Sequence, residues 1–108
     1  MIERPTELAH ELIRREENAK IAVDMTAGNG FDSKFILDEI NPEKLYAFDI
    51  QEAARDASLS LIGDRENFKF ILDSHAKIDK YIKDKLDLVV YNLGYLPKGC
   101  LLYTSDAA

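Results

Sequence analysis

Four short apolar runs, each separated from the next by a stretch of helical spacing, constrain this chain more than any other feature. The runs are Lys20–Asp24, Leu45–Asp49, Phe68–Leu72 and Leu86–Tyr91. The last, LDLVVY, is rich in branched residues, as expected of a strand covered on both faces. The spacing predicts helices over Pro5–Glu17, from Asp32 or Ser33 to Ile40, over Glu52–Ile62 and over Ala76–Lys85. Strands alternating with helices imply parallel strands joined by right-handed crossovers. A length of 108 residues allows one small domain. The expected fold class is α/β.

The helices carry their own signals. Pro5 suits a first helical turn, and Leu8, Leu12 and Ile13 form one apolar stripe. In the second helix either Asp32 or Ser33 can cap the N-terminus. Phe31, Phe35, Ile36 and Ile40 share a face by i, i+4 spacing, and Asn41-Pro42 ends the helix. The third turns Ala54, Ala57, Leu61 and Ile62 inward and stops at Gly63. The fourth turns Ile78 and Ile82 inward.

Composition narrows the class. The chain is 46% hydrophobic and 31% charged, which suits a globular domain and not a disordered one. No apolar run approaches the ~20 residues needed to span a bilayer. The segment MIERPTELAHELIRREE is charged throughout and has no signal-peptide apolar core. Cys100 is the only cysteine and can form no internal disulfide, in keeping with a reducing compartment. The expected location is the cytoplasm, with no membrane partner. A net charge of −6 argues against this segment holding a nucleic acid by charge alone, since phosphate binding needs clustered Lys and Arg.

Four motifs fall at the ends of the four strands. The first is Asp24-Met25-Thr26-Ala27-Gly28-Asn29-Gly30, a small-residue turn between strand and helix. Glycine tolerates positive φ and lets a ligand approach the backbone, and open α/β sheets bind nucleotide-like ligands at such turns. The alternative is an ordinary tight βα turn. The dinucleotide fingerprint requires a third glycine three residues past the second, where this chain has Ser33. The second motif is Asp49, 25 residues after Asp24. A carboxylate there can accept from both ribose hydroxyls of an adenosine, or serve as a helix cap or solvated loop residue. Gln51 lies beside it as a further cofactor candidate, although a surface role is the plainer reading. The third motif is Asp73-Ser74-His75. Asp73 can accept from an adenine amino group. Ser74 and His75 can line the same crevice or begin the next helix, and for His75 alone a polar loop role is the plainer reading. The fourth is Asn92-Leu93-Gly94-Tyr95-Leu96-Pro97. The Asn92 carbonyl can accept from a substrate amine, and Tyr95 can stack on a base. Asn, Gly and Pro together also make a plain strand-ending turn. No His, Cys and carboxylate set has metal-ligand spacing, so no metal is expected.

Taken together, VDMTAGNGFDS, FDIQ, DSH and YNLGYLP resemble class I S-adenosylmethionine-dependent methyltransferases. More narrowly they resemble the family once labelled "putative rRNA methylase", which includes the YtqB/MnmM-type tRNA methyltransferases. The resemblance covers about residues 20–99 and is most specific in NLGYLP. It implies a Rossmann-like three-layer sandwich with a parallel sheet of about four strands in order 3-2-1-4, incomplete relative to the seven-stranded methyltransferase fold. It implies S-adenosyl-L-methionine as cofactor, held by Asp24, Thr26, Gly28, Asn29, Gly30, Asp49, Gln51, Asp73, Ser74 and His75. It implies tRNA as substrate, methylated on the aminomethyl group of 5-aminomethyl-2-thiouridine at the wobble position, with Asn92 and Tyr95 at the reacting centre.

Family members continue past this point, so residues 1–99 are expected to be the N-terminal cofactor-binding part of a truncated copy. Residues 100–108, CLLYTSDAA, have no clear period and are expected to be an irregular, artefactual tail. Two other readings stay open: an inactive fragment that binds cofactor or a partner, and a Rossmann-type NAD-binding domain.

Overall fold

The computed structural model describes residues 5–92 and 100–104, with side chains from His10 to Tyr91. The elements run α1 (Pro5–Arg14), β1 (Ile21–Asp24), α2 (Phe31–Glu39), β2 (Lys44–Asp49), α3 (Glu52–Ile62), β3 (Phe68–Leu72), a 3-10 turn (His75–Lys77), α4 (Ile78–Tyr81), β4 (Leu88–Asn92) and β5 (Cys100–Thr104). The sheet order is β3-β2-β1-β4-β5. The first four strands are parallel, and β1 lies between β2 and β4, with Val23 level with Tyr46 and Val89. The expected order 3-2-1-4 therefore holds.

The period-2 alternation of each strand builds two cores. Ala22, Leu45, Leu88 and Val90 pack with Ile13, Ile36, Leu37, Ile40 and Ile62 of the helices α1–α3. Val23, Tyr46, Phe48 and Ile71 pack on the other face with Ile82, which follows α4. Helices thus flank both faces. Phe48 is fully buried, a contribution on the order of 1.5–3 kcal/mol for an apolar side chain of this size.

The structure corrects several local expectations. Residues 100–108 are not irregular throughout: Cys100–Thr104 forms β5, antiparallel to β4, with Leu88 opposite Thr104 and Asn92 opposite Cys100. The run CLLYT is a good strand former, and it pairs the otherwise open edge of β4. Helix α2 begins at Phe31 with Gly30 as its N-cap, and neither Asp32 nor Ser33 caps it. Both of those side chains turn down into the protein and are buried. Phe31 is 61% exposed and Leu37 takes its expected place in the core, because the buried face of α2 runs through Asp32, Ser33, Ile36 and Leu37. Helix α1 stops at Arg14, short of Glu17. The helix expected over Ala76–Lys85 is only the 3-10 turn plus the single turn of α4. It ends because Ile82 turns to extended backbone (φ −123°, ψ 121°) and enters the second core. Strand β4 begins at Leu88, and the Asp87 carboxylate just before it accepts from the N–H groups of Lys20 and Ile21, each at 3.0 Å.

Candidate functional site

Strand β1 ends in a fully buried carboxylate. Asp24 Oδ2 accepts from the Ser33 hydroxyl at 2.7 Å, and Oδ1 accepts from the Thr26 N–H at 3.1 Å. Burial raises its pKa to about 6; the charges of Asp32 and Asp49 push the same way, against the two hydrogen bonds. Asp24 therefore holds the turn from beneath, through the first turn of α2.

The turn itself needs its glycines for two different reasons. Gly28 has φ 53° and Gly30 φ 89°, backbone that side chains rarely adopt. A Cβ on Gly28 would meet nothing nearer than the Thr26 carbonyl at 4.0 Å, so this side of the turn is open. A Cβ on Gly30 would lie 2.9 Å from both the Cα and the Oγ of Ser58. Gly30 is where α3 packs onto the turn, and Ser58 Oγ donates back to the Gly28 carbonyl at 3.2 Å.

Asp49, at the end of β2, grips the same turn. Its Oδ2 accepts from the Gly28 N–H and its Oδ1 from the Gln51 N–H, both at 3.0 Å. Each carboxylate oxygen retains a further lone pair. Asp73, at the end of β3, is held similarly: the Ser74 N–H donates at 2.7 Å and the Tyr81 hydroxyl at 2.6 Å. The Tyr81 hydrogen bond, with Lys77 and Lys80 nearby, holds the Asp73 carboxyl below the usual carboxylate range. Ser74 Oγ accepts from the Ala76 N–H and caps the 3-10 turn. His75 packs edge-on against Tyr91 at 5.0 Å.

These strand ends enclose a crevice of about 210 Å³ lined by Met25, Thr26, Asp49, Ile50, Asp73, Ser74 and His75. Of the residues predicted from sequence, it brings together Thr26, Asp49, Asp73, Ser74 and His75. Asp24 lies below it, Gly30 is spent on packing, and Asn29 and Gln51 are exposed and do not line it. Gln51 contributes its backbone N–H to Asp49 instead. Asn92 closes β4, the strand beside β1, but its side chain and the whole of Tyr95 lie outside the described residues. Sequence reasoning missed Ser58, Met25 and Ile50. Ile50 is 71% exposed; an isoleucine directly after a strand-ending acid is the signal that could have found it.

Among the described residues, the lining has two carboxylates, two aliphatic side chains and no Lys or Arg. Such a site accepts hydrogen bonds from hydroxyl and amino groups and covers a flat apolar body. It repels phosphate; Asp32, in the first turn of α2, is buried and paired instead with His10 Nε2 at 2.8 Å.

Residues 45–106 match the family model described as "Putative rRNA methylase". The tRNA (mnm(5)s(2)U34)-methyltransferase of Arabidopsis thaliana chloroplasts is 28% identical over 109 residues, covering 87% of this chain and 40% of that protein. The ribosomal RNA small subunit methyltransferase H of Cytophaga hutchinsonii is 40% identical over 78 residues, covering 68% of this chain and 26% of that one. Among solved structures, an rRNA methylase from Streptococcus thermophilus superposes with a TM-score of 0.73 at 36% identity, over 88% of this chain and 58% of that chain. A Streptococcus mutans protein described as a "putative methyltransferase", solved with SAH, gives 0.72 at 38% identity, over 90% and 56%. The chain thus spans less than half the length of the curated relatives it matches.

Proposed function

Because this chain belongs to the rRNA methylase family, we propose that it binds S-adenosyl-L-methionine in the crevice at the ends of β1–β3 and serves methyl transfer to RNA. The observation that carries this reading is the convergence of Thr26, Asp49, Ile50 and Asp73 on one crevice beside an open glycine turn. Its donor and acceptor chemistry fits an adenosine. The free lone pairs of Asp49 accept from the ribose hydroxyls and those of Asp73 from the adenine amino group. Ile50 and Met25 cover the apolar base. A dinucleotide fits poorly, because among the described residues no cation lines the crevice to meet its pyrophosphate. The S. mutans relative was solved with SAH, the demethylated form of this cofactor.

The bound cofactor supplies a sulfonium, an already activated methyl donor. The protein's task is then alignment and exclusion of water. Asn92 ends β4, the strand next to β1. In this reading its carboxamide and the loop carbonyls that follow orient an uncharged substrate amine and stabilise its growing positive charge, with Tyr95 beside the reacting nitrogen. No described lining residue is an evident strong base, so solvent takes the proton.

The finer substrate is the aminomethyl group of 5-aminomethyl-2-thiouridine at the tRNA wobble position. The Arabidopsis relative's activity and the NLGYLP string support it. The test has two arms. Calorimetry compares S-adenosylhomocysteine with NAD, and tighter NAD binding would sink the cofactor assignment. Mass spectrometry follows methyl transfer from labelled cofactor to tRNA carrying the aminomethyl nucleoside and to ribosomal RNA. Transfer to ribosomal RNA alone would replace the wobble substrate.

A further inference from the structure

Tyr81 does not line the crevice, yet its hydroxyl holds one of the two carboxylates that do. It closes α4 and its hydroxyl donates to Asp73 Oδ2 at 2.6 Å. Its ring stands edge-on to Phe48, with centroids 6.0 Å apart and planes at 69°. Phe48 is fully buried in the second core, one residue before Asp49. Lys80 Nζ lies 5.6 Å from the centre of the Tyr81 ring. The side chain is 38% exposed, and the bond to Asp73 and the edge contact with Phe48 are what hold its hydroxyl in place.

Asp73 is held at both oxygens as a result. The Ser74 N–H donates to Oδ1, the Tyr81 hydroxyl donates to Oδ2, and Lys77 Nζ stands 3.7 Å from Oδ1. An ionised carboxylate has about four acceptor positions and no donor, so each oxygen keeps one acceptor for a ligand. We infer that Tyr81 is a positioning residue: it fixes Asp73 as an aimed, acceptor-only group that selects an amino-bearing purine over its oxo counterpart. The inference rests on the cofactor reading above. A 6-amino group donates into that acceptor, whereas a 6-oxo group brings a lone pair against it. Tyr81 also keeps the carboxylate ionised, since the phenol, as donor, is itself held protonated and its pKa raised.

The test is Tyr81→Phe, which keeps the ring on Phe48 and removes only the hydroxyl. Binding of S-adenosylhomocysteine and of S-inosylhomocysteine is measured by calorimetry in both proteins. Carbon NMR follows the Asp73 carboxyl, whose charged neighbours are Lys77 and Lys80. Tyr81→Phe should bind the adenosyl ligand about five- to tenfold more weakly, the scale of one net hydrogen bond. It should bind the inosyl ligand unchanged, and Asp73 should titrate at higher pH. An equal loss for both ligands would mean a merely structural role, and an unchanged adenosyl affinity or an unmoved Asp73 titration would also overturn the positioning. If the wild-type protein binds neither ligand, the cofactor reading itself falls and takes the inference with it, an outcome distinct from a tight wild type and an indifferent variant.

Discussion

Replacing Asp24 with asparagine should change how stability depends on pH. Asp24 is fully buried and its carboxyl titrates near 6, against an ordinary 3.8. The folded state thus keeps its proton to a higher pH than the unfolded chain. Between about pH 4 and pH 6 the folded state binds more protons, and stability must fall as pH rises. Below that window the contribution of this group is fully present; above it, the fold carries a buried charge. At about 1.4 kcal/mol per pH unit, the span from 3.8 to about 6 converts to about 3 kcal/mol. The asparagine side chain has nearly the same shape as the aspartate it replaces. Its carbonyl oxygen still accepts the Thr26 N–H, and its amide meets Ser33 Oγ, which can turn its hydroxyl and accept. Asp38 and Asp73, both with lowered pKa values, tilt the wild-type curve the other way in acid. They are present in both proteins, so the difference between the two cancels them. Urea denaturation of wild type and Asp24→Asn at pH 4 and pH 7 gives that difference directly. Because the group is already partly ionised in the unfolded chain at pH 4, the variant should gain about 2 kcal/mol relative to wild type between the two pH values. A difference independent of pH would refute the claim that Asp24 is the buried titrating group.

Gly30→Ala places a methyl group 2.9 Å from the Ser58 backbone at φ 89°, so unfolding free energy should drop by about 2–4 kcal/mol, and a variant as stable as wild type would show that α3 does not press on the turn. Asp49→Ala should weaken S-adenosylhomocysteine binding by about 1–3 kcal/mol, read by calorimetry; an unchanged affinity removes Asp49 from the cofactor site. Asn92→Ala in the intact protein should lower methyl transfer by about 10²-fold or more with cofactor affinity kept. Near-normal turnover would leave NLGYLP a structural turn, and parallel loss of cofactor binding would place Asn92 at the other end of the crevice.

The parallel α/β architecture was legible in the residues, because it follows from local rules, whereas the strand order 3-2-1-4 was implied by the family resemblance. Branched runs alternate with helical spacing, and right-handed crossovers leave few ways to arrange them. Thr26, Asp49, Asp73, Ser74 and His75 were legible as neighbours too, since parallel strands deliver their final residues to one edge of the sheet. What holds each of these groups came only from the way the layers pack. Ser33 looks like a helix cap in sequence, yet it turns inward because Asp24, nine residues away, is fully buried and needs a donor. Gly30 looks like a ligand-facing glycine, yet α3 brings Ser58 against it from 28 residues downstream. Tyr81 remains a part-exposed aromatic, and only the short α4 sets its hydroxyl on Asp73. The run CLLYT has no period that demands a strand, and it becomes one because the edge of β4 offers unpaired N–H and C=O groups. In each case the deciding partner lies outside the local stretch, and the cost of leaving a buried polar group or a strand edge unpaired is what selects the arrangement.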